Sequence, residues 1–245
     1  MGYRLQALIR KEWEEAFKNK MVLIGIVILP LFFLGFAVFM LLQAKGLPAE
    51  APPEARFILL NQTMFYFLLL PLIIPLSIAV YAVVGEKEQG TIEPLLATPL
   101  TDLEFFAGKV LAAALPGILL SWLFFGIFMG IAALLGLLAP EVLRVVLSPT
   151  WLMAISLLSP LVAVFTVTVS MLISSKVNDT RAAYQLSSFA VLPVVIPIFV
   201  YGLRSALLSL KMIALEAALV LVLDILLLIL AAKLFRREQI LVRWK

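Results

Sequence analysis

The sequence predicts an all-α integral membrane protein with six transmembrane helices and both ends in the cytoplasm. Three observations predict it. Hydrophobic residues fill 64% of the 245 positions and mean hydropathy is +1.13, against ~45–50% apolar in a soluble domain. They gather in six long apolar runs of the length, ~20 residues, that crosses a ~30 Å hydrocarbon core. Basic residues flank those runs unevenly.

The runs fall at about 21–42, 57–85, 107–138, 150–175, 184–202 and 212–235. The first starts at Met21, contains Pro30 and ends without a small-x-small cleavage site, so it reads as a retained span and not a signal peptide. The second and third are long enough to tilt or kink, at Pro71 and Pro75 and at Pro116 with Gly117. The fifth is short and carries Pro193 and Pro197, and a broken or re-entrant segment is expected there. Lys45, Arg56, Arg144, Arg204 and Lys211 lie in segments assigned to the outside. The other 14 of the 19 basic residues lie inside, and the reverse topology would invert that bias. The net charge of +4 therefore reads as topology signal and lipid contact, not as a nucleic-acid footprint. Outer loops 43–56 and 139–149 are short. The chain reads as a single transmembrane domain, 1–245, multi-pass in the cell membrane.

Residues 1–20 precede the first run. Leu5, Leu8, Ile9, Trp13, Ala16 and Phe17 recur at helical spacing, as in an amphipathic helix lying at the membrane interface with Trp13 as its anchor. A solvated N-terminal helix would share that pattern.

The chemistry available is narrow. There is no Cys and no His, which excludes thiol chemistry, imidazole acid–base catalysis and His or Cys metal ligation. No catalytic residue and no metal site is assigned. No Gly-x-x-x-x-Gly-Lys-Ser/Thr occurs, so the chain does not hydrolyse ATP by that route.

The most structured stretch is the cytoplasmic connection between the second and third runs. Gly90 suits the left-handed position that ends a helix. Thr91 can cap a new short helix with Glu93 in its first turn and Pro99 as its stop. Thr101-Asp-Leu-Glu104 then forms a capping box opening the third span, with Leu100 and Phe105 as its hydrophobic staple. Local physics fits a helix that transmits a push and a merely well-capped connector equally.

Here the residues resemble a family. Gly85-Glu86-Lys87-Glu88-x-Gly90-Thr91-Ile92-Glu93-x-Leu95-Leu96-x-Thr98-Pro99 is similar to the cytoplasmic signature of type-2 ABC transporter permeases, the membrane subunits of exporters. The N-terminal helix, six spans, small loops and basic tail extend the resemblance over the full length. It implies a permease that dimerises, as a homodimer, and docks two copies of an ABC ATP-binding subunit, with ATP and Mg held by that partner. The family's coupling segment, 86–104, falls on Glu86, Lys87, Glu88, Gly90, Thr91, Glu93 and Pro94. The second cytoplasmic loop, around Lys176, Asn178, Asp179 and Arg181, would lie near the same ATPase. The stretch from Leu203 to Lys211, where relatives often carry short outer helices, is brief, and the large outer domain of many relatives is missing.

Two acidic residues lie in the sixth run. Glu216 is near its outer start, and Asp224 lies roughly 18 Å along the helix. An Asp at that depth costs about 3 kcal/mol. They read either as a polar patch on a substrate or cation path, or as packing contacts with a neighbouring span. Asn61 and Gln62 are further path candidates, with an interfacial polar cluster as the plainer reading. The expected function is the permease of an ATP-driven exporter of a small hydrophobic or amphipathic molecule or a lipid. The competing expectation is an ion-coupled secondary transporter that uses Asp224 and Glu216.

Overall fold

The computed structural model describes residues 2–48, 50–90, 101–203 and 209–234, all in helices and short connections, with no strand among them. α1 (Gly2–Ala16) leads into α2 (Lys20–Gly46), the first span. α3 (Pro53–Val80) continues through a wide π turn (Tyr81–Gly85) into α4 (Glu86–Gln89), and together they form the second span and its cytoplasmic end. α5 (Asp102–Leu134) is the third span. α6 (Pro140–Val146) is an outer helix, and α7 (Pro149–Met153), a second π turn (Ala154–Leu158) and α8 (Ser159–Ser174) make the fourth span. α9 (Thr180–Leu203) and α10 (Leu210–Leu234) are the fifth and sixth. Six helical segments are long and apolar enough to cross a membrane, as the sequence predicts.

The second and fourth spans form the centre, with α3 packed against α2, α5, α8 and α9. Their windows are 78% and 61% buried, against 22–33% for the other four. The outer ring therefore turns most of its Leu, Ile, Val and Phe outward, as lipid-facing helices must.

Two expectations change. The fifth span is a continuous helix through Pro193 and Pro197, neither broken nor re-entrant. Four residues apart, these prolines weaken one face only, and the bundle covers Val191, Val194, Val195 and Ile198. The outer connection expected as loop 139–149 is largely helical. Pro140 opens α6 with Glu141 in its first turn, and the Ser148 side chain accepts from the Trp151 N–H to cap α7.

Prolines also explain how the spans are tied together. A proline lacks the N–H that would bond the carbonyl four residues back, and no water reaches that carbonyl in the membrane. Pro71 orphans the carbonyl of Phe67, and Ser121 of the third span donates to it at 2.9 Å. Pro116 orphans Ala112, and the indole of Trp13 on α1 donates there at 2.8 Å. In the second π turn the Ser159 N–H bonds Ala154, which leaves Ile155 facing Pro160. Trp122 fills that gap at 3.0 Å. Three helix defects are thus converted into three links between helices.

This assigns a sharp coupling. Ser121→Ala should cost about 1 kcal/mol of stability in detergent unfolding of the parent protein. In a Pro71→Ala background, where residue 71 regains its N–H, it should cost little. Equal costs in the two backgrounds would rule out the orphan-carbonyl role of Ser121.

A candidate coupling site at the cytoplasmic end of the second span

Glu86, Lys87 and Glu88 are consecutive on α4, and each grips a different part of the bundle. The π turn before them and Gly90 after them set this up. The π turn widens the helix just before the motif, with Ala82, Val83, Val84 and Gly85 buried in the bundle. Gly90 sits at φ 67°, the left-handed cap expected from the sequence, and its N–H closes on the Lys87 carbonyl.

Glu86 reaches toward α1 and α5. One carboxylate oxygen takes Lys11 and the other takes Lys109 at 2.9 Å. Lys109 also binds Glu12 at 2.8 Å and the Ala82 carbonyl, inside the π turn, at 2.6 Å. Two of the ammonium's three donors make these hydrogen bonds, and the Glu86 contact is an ion pair. Phe105 adds its ring face 5.3 Å from the same nitrogen. Glu12, Glu86 and Lys109 are 3%, 4% and 1% exposed, so this is a buried network. Lys11, at its edge, also binds Glu15 at 2.8 Å. Burial raises the Glu12 carboxyl above the ordinary range; Lys109 opposes the rise and Glu86 adds to it. Burial alone would lower the Lys11 ammonium, but Glu12, Glu86 and Glu15 outweigh it and hold its pKa above that of an ordinary lysine. Lys11 therefore keeps its charge through the physiological range.

Lys87 turns to the other side. Its Nζ donates to the carbonyls of Ser174, Ser175 and Val177 at 3.0, 2.9 and 3.1 Å, the orphan acceptors at the end of α8. Glu88 accepts from the Thr180 N–H at 3.0 Å, at the start of α9. Cations favour helix C-termini and anions favour N-termini. Neighbouring residues of opposite sign thus hold the two dipole ends that flank loop 175–179. Asp179 completes the second end by capping Ala182 at 2.7 Å.

The sequence-assigned residues fall into groups. Glu86, Lys87, Glu88, Gly90 and Asp179 meet at this junction, while Lys176, Asn178 and Arg181 are exposed beside it. The capping box of Thr101 and Glu104 is present, opening α5. Thr91, Glu93 and Pro94, and with them the short coupling helix between spans two and three and its Leu100 staple, lie outside the described residues. Glu216 and Asp224 lie elsewhere, on the single buried stripe of α10 with Ile213, Ala217 and Val220. That stripe packs chiefly on the fourth span. Their carboxyl oxygens have no hydrogen-bond partner among the described residues. Asn61 is buried and holds the Trp151 indole at 2.8 Å while donating to the Phe57 carbonyl; Gln62 is half-buried beside it.

Sequence reasoning missed Glu12 and gave Lys109 only a topological role. The signals were present. Glu12 stands between Leu8 and Ala16 at four-residue spacing, inside the apolar stripe of α1. Lys109 stands inside an apolar run. Neither is tolerated without a partner. Gly108 lets them meet, since a Cβ there would lie 2.5 Å from the Leu8 side chain.

The six spans, with a charged junction at one end among the described residues, define a multi-pass integral membrane protein. The chain belongs to the ABC-2 transporter family: the family model, described as an ABC-2 family transporter protein, matches residues 6–239. It is a membrane subunit of an ABC transporter, multi-pass in the cell membrane, and not itself a catalyst. No curated protein matches the chain closely enough to count as a relative.

Lys109→Met should remove the shared cation, leave the buried Glu12 and Glu86 with Lys11 alone at the edge and cost about 3–5 kcal/mol, read as a lowered Tm in detergent. Adding Glu12→Gln should recover part of the loss. A double variant as unstable as the single one would contradict the shared-cation geometry.

Proposed function

We propose that this subunit forms half of the translocation path of an ATP-driven exporter and is driven through the Glu86-Lys87-Glu88 junction. The observation that carries the proposal is the wiring of these three residues, which ties the end of the second span to α1 and α5, to the end of α8 and to the start of α9. Two copies of the chain pair as a homodimer and dock two ATP-binding subunits, which hold ATP and Mg. Closure of the ATPase pair pushes on the segment carrying Thr91, Glu93 and Pro94. α4 passes the displacement to every element it grips, and the dimer interface opens a path. Exposed Lys176, Asn178 and Arg181 supply contacts to the ATPase next to that segment.

The substrate in this reading is a small hydrophobic or amphipathic molecule or a lipid. Glu216 and Asp224 are the polar groups on its path, with Gln62 and the Asn61–Trp151 pair near its outer end. Two buried carboxylates that no protein group neutralises among the described residues suit a path that meets polar cargo transiently.

The test is reconstitution with the ATP-binding subunit. Lys87→Met removes three charge-assisted bonds and Glu88→Gln weakens a fourth. Each loss is worth about 1.5–3 kcal/mol, enough for a tenfold or larger effect. Transport should fall at least that far while the ATPase still copurifies and still turns over. Lys87→Arg should not rescue, because its planar fork does not match three converging carbonyls. Full transport in Lys87→Met would remove the junction from the coupling path.

A further inference from the structure

The outer end of the bundle holds a cavity of about 170 Å³ between the end of α2, the start of α3 and the connection from α5 to α6. Its floor is apolar, formed by buried residues such as Leu41, Leu60 and Val142, and its mouth carries Lys45, Arg56 and Glu141. It lies at the opposite end of the molecule from the coupling junction, and the proposed function makes no use of it.

The charges at the mouth do not cancel. Glu141 pairs with Arg56 at 3.1 Å through one guanidinium nitrogen, which leaves other guanidinium donors unused by that bond. Lys45 has no ion pair among the described residues. The mouth therefore presents one positive charge in excess over an apolar floor, and its complement is an anion with carbon attached. The volume narrows the choice. About 170 Å³ is below the ~300 Å³ at which pockets enclose a drug-sized molecule, so the cavity holds one end of a ligand. The rest must lie outside it. Leu42, Phe57 and Leu135, each a chain neighbour of a lining residue, are 44–51% exposed, an apolar surface on which acyl chains can lie.

We infer that this cavity seats the phosphate headgroup of an anionic membrane lipid from the outer leaflet. The phosphate meets Lys45 and the free edge of Arg56, the glyceryl carbons fill the apolar floor, and the acyl chains run down the lipid-facing surface. A free aqueous phosphate would use the cations and leave the floor empty. A zwitterionic lipid would use the floor and bring its own cation against Lys45.

The experiment uses the full-length protein, purified and stripped of lipid in detergent. Its thermal midpoint is followed while phosphatidylglycerol, phosphatidylcholine or inorganic phosphate is added. Phosphatidylglycerol should raise the midpoint saturably, and the other two should not. Lys45→Ala should weaken that binding about fivefold, the weight of one basic residue at an anionic headgroup, Lys45→Glu should weaken it more, and Lys45→Arg should keep it. Because Lys45 is exposed and outside any ion pair among the described residues, the lipid-free midpoint of each variant should match that of the parent. Equal stabilisation by phosphatidylcholine, equal stabilisation by inorganic phosphate, or undiminished binding in Lys45→Glu would each overturn the inference. No nucleotide and no ATP-binding subunit enters the measurement, so its outcome is separate from that of the coupling proposal.

Discussion

The ammonium of Lys109 neutralises two carboxylates that come from different helices and would otherwise repel each other in a buried site. Glu12 arrives from α1 and Glu86 from the end of the second span, and Lys109 also donates to the Ala82 carbonyl in the π turn. Such a triad adds little net stability over an apolar packing of the same volume. What it fixes is position, because each of its charges meets its partners on other helices. Lys87 and Glu88 depend on that fixed position. Only with α4 held at this height do their side chains reach the end of α8 and the start of α9. Among the described residues, α1, α4 and the adjoining ends of α5, α8 and α9 are therefore joined through opposite charges and helix dipoles at the edge of an apolar bundle.

The membrane imposes the second constraint. Each backbone carbonyl freed by a proline must find a donor inside the protein, and in three places that donor lies on another helix. Trp13 joins the two constraints. The same α1 that supplies Glu12 to the triad supplies the indole that closes the Pro116 defect in the third span. The N-terminal helix is thus stitched to α5 at two points, one ionic and one a neutral hydrogen bond, and is more than an interfacial float.

Much of this was legible beforehand. Span number followed from run length and apolarity, and the Gly90 cap and the Thr101–Glu104 capping box followed from local chain chemistry, because each depends on neighbours within a few residues. The resemblance of the 85–99 segment singled out Glu86, Lys87 and Glu88, which the structure brings to one junction. What was not legible was the partner of each charge. Glu86 and Glu88 are two residues apart with similar side chains, yet one is buried against Lys109 and the other caps a helix about ninety positions onward. Periodicity does not encode such long-range pairing. The continuity of the fifth span also escaped, since whether Pro193 and Pro197 break a helix depends on the packing around them and not on the prolines. Glu12 was different: its place inside an apolar stripe was visible, and an acid there already demanded a cation.

The central claim is that the cytoplasmic junction moves as a rigid unit. The chain has no cysteine, so cysteines introduced at two exposed sites, Glu14 on α1 and Asn178 in the second cytoplasmic loop, can be spin-labelled without competing sites. The decisive measurement is the distance between these labels by pulsed electron resonance, in the complex with its ATP-binding subunit, without nucleotide and with ATP trapped. The account predicts an unchanged distance within each copy while the distance between the two copies shifts. A change of several ångströms between Glu14 and Asn178 of one copy would show that α4 does not hold its neighbours together, and would contradict it.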